Sequence, residues 1–366
     1  MAPVTPIPAE VASLTDYEAL AKKCLNPQVW AYVAGGAADE LTVSENVAAF
    51  SRLLLRGRVL CDLAGGTTRI DLFGHSYAAP VLLAPTAFQK LLHPDGELAT
   101  VLGAGAAQTP MVVSTQASVS LEDIARDAIA PLWFQLYVQP DRDFTAALVR
   151  RAEAVGYRVL VVTVDAPVSG IRNREQRAGF ALPPQIEAVN LRNARPLSSY
   201  APLPDGQALL GGPLLAAAPT WRDIGWLKSI TAMPIVLKGI MCAEDASRAV
   251  SEGADGIIVS NHGGRTLDTM PATISVLREI VDVVDQRVPV LLDGGIRRGT
   301  DILKALALGA RAVLIGRPYL YALAVAGALG VCHALRILRA ELEVAMALTG
   351  CATLSDIEPS VVRLKD

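Results

Sequence analysis

The chain alternates between short apolar runs and segments of helical periodicity, and this alternation constrains its fold more than any other feature. Several of the runs are rich in Val, Ile and Leu and end at Gly, Pro or a polar residue, which is typical of buried parallel strands. The runs are Val81–Pro85, Met111–Ser114, Leu132–Tyr137, Val159–Asp165, Ile235–Gly239, Gly256–Asn261, Val290–Gly294 and Ala312–Gly316.

Between most of these runs, apolar residues recur with the spacing of an amphipathic helix. Eight rounds of strand and helix predict a (β/α)8 TIM barrel. A doubly wound open sheet is the alternative, because the number of strands does not establish closure. The predicted helices are Gly96–Gln108, Leu121–Ala128, Phe144–Val155, Ala243–Glu252, Ala272–Val284 and Thr300–Leu308.

Two segments lie outside this alternation. Residues 1–80 precede the first predicted strand and form a predicted N-terminal helical extension, with short helices over Thr15–Cys24 and Asn26–Ala34. Residues 166–234 follow the fourth strand and predict a long loop or lid on the face where barrels place their active sites. We therefore expect residues 1–366 to form a single barrel domain.

Composition excludes several classes of protein. The 366 residues carry a formal net charge of −3, which argues against a protein that binds nucleic acid through the phosphate backbone. Apolar residues make up 52% and charged residues 19%, unlike a disordered chain. The cysteines are dispersed, so neither a disulfide framework nor a metal site is indicated. We expect free thiols and a cytoplasmic location.

One apolar segment raises the question of a membrane span. Tyr319–Leu335 carries no charge, but it has only 17 residues, includes His333 and is rich in Ala and Gly. A span needs about 20 apolar residues. The segment therefore predicts a buried helix or an oligomer contact, and the N-terminus shows no secretory signal pattern.

Polar residues lie at the carboxyl ends of the predicted strands, where branched apolar side chains normally fill a barrel. A polar group there costs desolvation energy unless a ligand or another residue satisfies it. One such residue would be interpreted as a cap or a turn, but a set at the same end of successive strands indicates a site. The set comprises Gln135, Tyr137, Thr163, Asp165, Lys238, Ser260 and His262.

The segment S-N-H-G-G-R, residues 260–265, is the most specific of these strand ends. His262 can take a proton near neutral pH, and Arg265 offers a planar fork suited to a carboxylate. Gly263 and Gly264 permit a tight turn between them. The segment predicts a site for a small acid that loses hydrogen from the carbon beside its carboxylate. The alternative is a structural histidine at the start of a helix.

Two glycine motifs follow the seventh and eighth strands. L-D-G-G-I-R-R-G covers residues 292–299, and I-G-R-P covers residues 315–318. Barrels commonly bind phosphate at these two loops through backbone amides and basic side chains. Arg297 and Arg317 fit this role. Because the S-N-H-G-G-R segment already provides for an acid and a proton, a phosphorylated cofactor is the simpler interpretation.

Several motifs, spread along nearly the whole chain, resemble those of a known family. They are A-P-T-A (84–87), H-P-D-G-E (93–97), F-Q-L-Y (134–137), T-V-D-A-P (163–167), V-L-K-G (236–239), S-N-H-G-G-R (260–265), D-G-G-I-R-R-G-T-D (293–301) and I-G-R-P (315–318). The chain is similar to the FMN-dependent 2-hydroxy-acid oxidases and dehydrogenases, the glycolate oxidase and lactate oxidase family. The resemblance implies FMN-dependent oxidation of an (S)-2-hydroxy acid to the 2-oxo acid, with O2 reduced to H2O2.

The resemblance also implies roles for residues at the reacting centre. His262 would be the base, Asp165 would stabilise its imidazolium form, and Tyr137 would hydrogen-bond the substrate oxygen. Lys238 would lie beside the flavin and stabilise negative charge on its ring. The remaining implied FMN ligands are Thr86, Ala87, Ser114, Gln135, Thr163, Ser260, Asp293, Gly295, Arg297, Gly316 and Arg317.

The implied substrate ligands are Arg172 and Arg265, which would clamp the carboxylate, with Tyr32 as a further partner. Taken singly, Tyr32 could be ordinary core, Arg172 a solvated loop charge and Ser114 only the end of a strand. At residue 116 the chain departs from plant-type glycolate oxidases, because Gln116 stands where they carry a Trp. A smaller polar group there would admit longer or branched acids.

Two alternatives to the oxidase remain at this stage. The first is an FMN-dependent dehydrogenase of lactate or mandelate type that passes electrons to a quinone or another carrier. The second is a phosphate-binding barrel that binds its ligand without redox turnover. The resemblance implies a homotetramer, and no metal, nucleic-acid partner or membrane span is expected.

Overall fold

The computed structural model describes residues 5–194 and 209–365. In that part of the chain, three α-helices precede the first strand of a central barrel, and later helices surround the barrel. They are α1 (Leu14–Cys24), α2 (Pro27–Ala34), α3 (Leu41–Ala48), α4 (Glu97–Ala106), α5 (Leu121–Asp127), α6 (Arg142–Ala154), α7 (Asn173–Arg177), α8 (Pro213–Ala216), α9 (Trp221–Ile230), α10 (Ala243–Ser251), α11 (Thr273–Val284), α12 (Gly299–Ala307) and α13 (Arg317–Thr349).

The strands of the described residues form one barrel and two small antiparallel ladders. In chain order they are β1 (Leu53–Leu55), β2 (Ile70–Leu72), β3 (His75–Tyr77), β4 (Val81–Leu83), β5 (Met111–Ser114), β6 (Leu132–Leu136), β7 (Val159–Thr163), β8 (Ile235–Ile240), β9 (Gly256–Val259), β10 (Val290–Asp293), β11 (Ala312–Ile315) and β12 (Val362–Leu364).

Strands β4 to β11 form a closed parallel barrel, which confirms the predicted (β/α)8 fold. Strand β11 pairs with β4, with Val313 opposite Val81, and this last pairing excludes an open sheet. Each barrel strand coincides with one predicted apolar run. These runs lack the alternation of a half-exposed strand because both faces are buried, one by side chains inside the barrel and one by the outer helices.

A hairpin closes the amino-terminal end of the barrel. Strands β2 and β3 pair antiparallel, and the ring of Phe73 between them packs edge-on against Trp133 with the ring centroids 5.3 Å apart. Trp133 lies at the start of β6, is fully buried and donates to the Tyr77 hydroxyl at 3.3 Å. The hairpin thus covers one end of the barrel and leaves the carboxyl ends of the strands for a site.

The predicted N-terminal helical extension contains α1, α2 and α3, as well as strands that were not predicted. The Asn26 side chain caps α2 by accepting from the Val29 backbone N–H, and Pro27 occupies the first turn. Strand β1 pairs with β12, so this segment also contacts the C-terminal end of the chain. Three-residue strands are too short to show a periodicity, which is why the sequence pattern missed them.

The predicted loop over residues 166–234 extends too far. Helix α9 is an outer barrel helix: Leu227 is fully buried, and Thr220 and Asp223 form a capping box at its start. The insertion therefore ends before Trp221, and the reason for the error is that a short helix after a proline-rich segment gives a weak periodic signal. Residues 195–208, which include the start of the apolar stretch Gly206–Ala218, lie outside the described residues.

Helix α13 contains the uncharged segment Tyr319–Leu335, which confirms the predicted buried helix. By length and composition it is the one described helix that could span a membrane, but 61% of its most apolar window is buried inside the protein. Its backbone departs from helical geometry at Ala326 and Gly327. It packs against α1, α4 and α12, as a buried helix of a folded domain does.

Candidate active site

The carboxyl ends of the barrel strands surround a cavity of about 1120 Å³, including its open mouth. The sequence-predicted site residues that line it are Tyr32, Thr86, Ala87, Ser114, Gln116, Gln135, Tyr137, Thr163, Arg172, Lys238, His262, Arg265, Asp293, Gly295, Arg297, Gly316 and Arg317. The other two, Asp165 and Ser260, lie directly behind it and hydrogen-bond to His262 and Lys238. The barrel therefore brings all of the predicted residues together.

His262 and Asp165 form a pair at the cavity wall. His262 Nδ1 lies 2.9 Å from Asp165 Oδ1, and His262 Nε2 lies 3.4 Å from the Tyr137 hydroxyl. The carboxylate thus fixes the imidazole so that Nδ1 carries the proton and Nε2 is directed towards the cavity. A base with this orientation can accept a proton from a ligand held beside Tyr137.

The loop after β9 presents this imidazole through an unusual backbone conformation. His262, Gly263 and Gly264 all have positive φ, at 59°, 63° and 73°. Such a conformation is sterically costly for a non-glycine residue and is characteristic of functional sites. At Gly264 a Cβ would lie 2.7 Å from the Val43 backbone nitrogen. The predicted tight turn is confirmed, and within it His262 is the non-glycine residue that adopts the sterically costly positive φ.

Asp165 is ionised despite its burial. Burial alone would raise its pKa, but the interactions with His262 and Lys238, including the hydrogen bond from His262, outweigh burial, so the pKa lies below its ordinary value. Its second oxygen, Oδ2, is buried and has no hydrogen-bond partner among the described residues. This oxygen therefore retains spare capacity to accept a hydrogen bond.

Two arginines, Arg172 and Arg265, also line the cavity. Arg172 Nε donates to the Arg265 carbonyl at 2.9 Å, and Arg265 Nη1 donates to the Tyr32 carbonyl at 2.7 Å. The Arg265 guanidinium also lies over the Tyr32 ring, 5.2 Å from its centroid. Glu175, which the sequence did not reveal, contacts both guanidiniums. The arginine pair can bind a carboxylate.

Lys238 is buried in the cavity wall between two acidic groups. Its Nζ lies 2.9 Å from Asp293 Oδ2 and donates to the Ser260 hydroxyl at 2.8 Å. Burial would lower the Lys238 pKa, but the charges of Asp293 and Asp165 outweigh burial and raise it. Lys238 is therefore a fixed positive charge at the base of the cavity.

The polar ends of β5, β6 and β7 form a connected row. Ser114 Oγ donates to Gln135 Oε1 at 3.3 Å, and Gln135 Nε2 donates to Thr163 Oγ1 at 2.9 Å. On the opposite side Thr86 Oγ1 hydrogen-bonds the Tyr319 hydroxyl, which itself donates to the Ala84 carbonyl at 2.9 Å. These partners hold the cavity wall in one arrangement. Tyr319 was not predicted, because a Tyr in an apolar helix gives no such signal.

Arg317 adds positive charge behind the loop after β11. Its guanidinium donates to the carbonyls of Gly263 and Gly35 at 2.9 and 2.7 Å. Burial and the neighbouring guanidiniums, foremost Arg265 and then Arg297, lower the Arg317 pKa to about 10, so it stays protonated at neutral pH. This crowding of positive charge favours an anion, as predicted for the loops after the seventh and eighth strands.

An amide pair supports the loop after β9 from behind. Asn46 Nδ2 donates to Asn261 Oδ1 at 2.8 Å, and Asn261 Nδ2 donates to Asn46 Oδ1 at 2.9 Å. Both side chains are buried, and the pair joins α3 to the S-N-H-G-G-R segment. The sequence offered a signal for this pair, because Asn261 lies inside the motif, but no role was predicted for it.

Comparison with known proteins places this geometry in a family. Residues 21–364 match the model of the FMN-dependent dehydrogenases. L-lactate oxidase of Nostoc sp. is 48% identical over 96% of this chain and 98% of its own, and glycolate oxidase 1 of Oryza sativa subsp. indica is 45% identical over 95% and 94%. A solved structure of mandelate oxidase with benzoyl-formic acid is 42% identical, with a TM-score of 0.87 over 97% of this chain and 98% of the other.

The matched barrel, the imidazole–carboxylate pair, the arginine pair and the buried lysine agree with this assignment. By the extent of these matches, the chain belongs to the family of FMN-dependent dehydrogenases.

Proposed function

We propose that this protein is an FMN-dependent (S)-2-hydroxy-acid oxidase that converts its substrate to the 2-oxo acid and reduces O2 to H2O2. The observation that carries the proposal is the placement of His262, paired with Asp165, in the same cavity as the arginine pair and Lys238. A base, a carboxylate clamp and a buried cation are the groups that this oxidation requires. The family of the chain supplies the cofactor.

The residues of the cavity fit FMN. Asp293 Oδ1 is buried and unpartnered among the described residues, so it can accept from a ribityl hydroxyl. Lys238 lines the cavity, and its positive charge would stabilise the negative charge that a bound flavin ring gains on reduction. Arg297 and Arg317 supply charge for the phosphate, and the nearest heavy atom to a Cβ at Gly316 would be 4.0 Å away, which leaves room for a ligand against that backbone.

The remaining members of the predicted set contribute to the same cofactor site. We propose that the row formed by Ser114, Gln135 and Thr163 contacts the polar edge of the flavin ring, since its members line the cavity and are fixed by one another. Ser260 acts through Lys238, which donates to it. The proposed flavin contacts on the other side of the cavity are Thr86 and Ala87, and Gly295 lies beside Asp293.

The substrate carboxylate binds between Arg172 and Arg265, with Tyr32 beside them. When bound, FMN accepts the two electrons that leave the substrate carbon. His262 takes a substrate proton at Nε2, and Asp165 stabilises the imidazolium that results, because its ionised oxygen accepts a hydrogen bond from the Nδ1–H group. Tyr137 lies within reach of the substrate oxygen and orients it beside that nitrogen.

Oxygen is the proposed acceptor because the relatives are named oxidases. Two electrons and two protons leave the hydroxy acid and appear in H2O2. The alternative, a dehydrogenase that feeds a quinone, predicts little peroxide and a large increase in rate with an added quinone. A binding barrel without redox turnover is disfavoured by the family of the chain.

The proposal is tested by mixing the purified holoprotein anaerobically with glycolate, lactate and mandelate in turn and recording the flavin absorbance. We expect at least one acid to bleach the flavin, and admission of air to restore the colour with one peroxide formed per 2-oxo acid. A flavin that no 2-hydroxy acid reduces would contradict the oxidase, and reoxidation by a quinone but not by air would favour the dehydrogenase.

We also propose a homotetramer in the cytoplasm, with residues 1–366 as one domain. The support for a cytoplasmic location is that the cysteines are free, which suits a reducing compartment. The exposed side chains of Val344 and Leu348 on α13 support an oligomer contact. Light scattering of the purified protein measures the subunit number, and a monomer would contradict the proposed assembly.

A further inference from the structure

Glu175 lies between the two arginines at the mouth of the cavity. Its Oε1 accepts a hydrogen bond from Arg172 Nη1 at 2.9 Å and another from Arg265 Nη2 at 3.2 Å. All three side chains are largely buried, with exposed fractions of 11% for Glu175, 12% for Arg172 and 18% for Arg265. Buried charge-assisted hydrogen bonds to a shared oxygen restrict the rotation of both guanidiniums.

Local structure fixes the position of this carboxylate. Glu175 lies in the first turn of α7, three residues after Arg172, which precedes that helix. The two arginines also contact each other, because Arg172 Nε donates to the Arg265 carbonyl. Arg265 Nη1 donates to two carbonyls at the end of α2, those of Tyr32 and Gly35. Glu175 therefore joins the two guanidiniums through a single carboxylate oxygen.

Charge makes this contact more than a packing detail. Two guanidiniums that converge on one oxygen repel each other, and in a partly buried site this repulsion is only weakly screened. The carboxylate reduces the formal charge of the cluster from +2 to +1. A cluster with one excess positive charge is suited to a ligand that presents a single carboxylate.

We propose that Glu175 is a positioning residue of the carboxylate clamp, which holds Arg172 and Arg265 side by side for a monocarboxylate. The inference rests on the proposed function, because that function assigns the substrate carboxylate to these two arginines. Glu175 itself does not take part in the transfer of electrons or protons.

Two substitutions of similar size separate hydrogen bonding from packing. Glu175→Met keeps the length of the side chain but provides no oxygen, whereas Glu175→Gln keeps an oxygen that can accept from both arginines. A matched control is Glu187→Ala in the same loop, since Glu187 contacts only the exposed Arg192 among the ion pairs of the described residues. For each holoprotein, acetate is titrated and its dissociation constant is read from the change in flavin absorbance.

We expect Glu175→Met to weaken acetate binding about tenfold or more, as loss of a buried charge partner does. Its KM for the 2-hydroxy acid rises in parallel while kcat changes by less than about threefold, because His262 and Asp165 are untouched. Glu175→Gln keeps the shared acceptor oxygen but not the charge, so we expect it to lose less acetate affinity than Glu175→Met does. Glu187→Ala should not differ from the wild type. Flavin content and melting temperature remain close to those of the wild type in each variant.

Acetate affinity within about twofold of the wild type in Glu175→Met would overturn the proposal. A loss of affinity that accompanies loss of flavin and of thermal stability would also overturn it, since the role would then be structural. If Glu175→Met does not fold, Glu175→Asp decides, because the shorter arm cannot reach both arginines and unchanged acetate binding would reject the proposal. Acetate binding requires no turnover, so this test still decides the role of Glu175 if the wild type oxidises no hydroxy acid.

Discussion

At the residue scale, the site depends on how its ionised groups are paired. Asp165 holds the imidazole of His262, Asp293 balances Lys238, and Glu175 joins the two arginines. Each pairing keeps a buried charge from being isolated, which would otherwise cost several kcal/mol. The chemistry of the individual residues could be predicted from the sequence, but the partners on distant strands could not, except where the family resemblance implied them.

His262 offers the most direct test at this scale. We expect His262→Gln to retain the yellow cofactor and to slow reduction of the flavin by about 10²-fold or more, because an amide cannot take the substrate proton. Anaerobic stopped-flow absorbance measures the rate. The control is His333→Gln, since His333 hydrogen-bonds Tyr17 rather than lining the cavity. An unchanged rate in His262→Gln would remove this residue from the proposed mechanism.

Gln116 allows a test of what sets the room available to the substrate side chain. It lines the cavity, and its backbone N–H donates to the Ser114 hydroxyl at 3.1 Å. We expect Gln116→Trp to reduce kcat/KM for mandelate about tenfold or more while that for glycolate changes less than about threefold, because only the larger acid meets the added ring. Steady-state kinetics on both acids provide the comparison, and equal changes would show that Gln116 does not select by size.

At the element scale, short loops after the strands determine the geometry of the site. The loop after β9 turns through Gly263 and Gly264, and α3 packs against it through the pair of Asn46 and Asn261. Anchored loops of this kind place side chains more accurately than free ones. The turn could be predicted from its glycines, whereas the helix that supports it could not, because it lies more than 200 residues earlier in the chain.

Gly264 tests this support. In Gly264→Ala the new Cβ meets the Val43 backbone at 2.7 Å in addition to a strained φ of 73°. Gly65→Ala is the matched control, because it has a φ of 72° but no neighbour within 4 Å. We expect the control to lose about 1 kcal/mol of unfolding free energy and Gly264→Ala to lose about 1–3 kcal/mol more. Urea denaturation measures both, and equal losses would rule out the contact with α3.

At the scale of the whole molecule, closure of the barrel brings residues from the entire chain to one cavity. The cofactor should therefore stabilise the fold, since it would contact strands that are distant in sequence and would bind only the folded state. At 100 times its dissociation constant a ligand stabilises a protein by about 2.7 kcal/mol. We expect removal of FMN to lower the melting temperature and its return to restore that temperature.

Substitution of Arg317 tests whether this residue contributes to the binding of FMN. Arg317→Met should raise the dissociation constant of FMN about tenfold or more, because a buried positive charge near the phosphate is lost. Arg311→Met is the control, since Arg311 is an exposed residue immediately before β11. Fluorescence quenching of added FMN measures the affinity. Equal affinity in the two variants would show that Arg317 does not contribute to binding.

The sequence by itself determined the eight strands, most of the helices between them and the residue types at the strand ends, because local periodicity and burial on both faces leave a direct pattern in the chain. The tertiary structure decided that the sheet closes into a barrel and that a hairpin covers the amino-terminal end of that barrel. It also decided that α9 belongs to the outer helices and that Glu175 joins two arginines. These features depend on contacts between residues far apart in the chain. Such contacts lower the free energy only after the fold brings the residues together, and so they leave no periodic signal in the sequence.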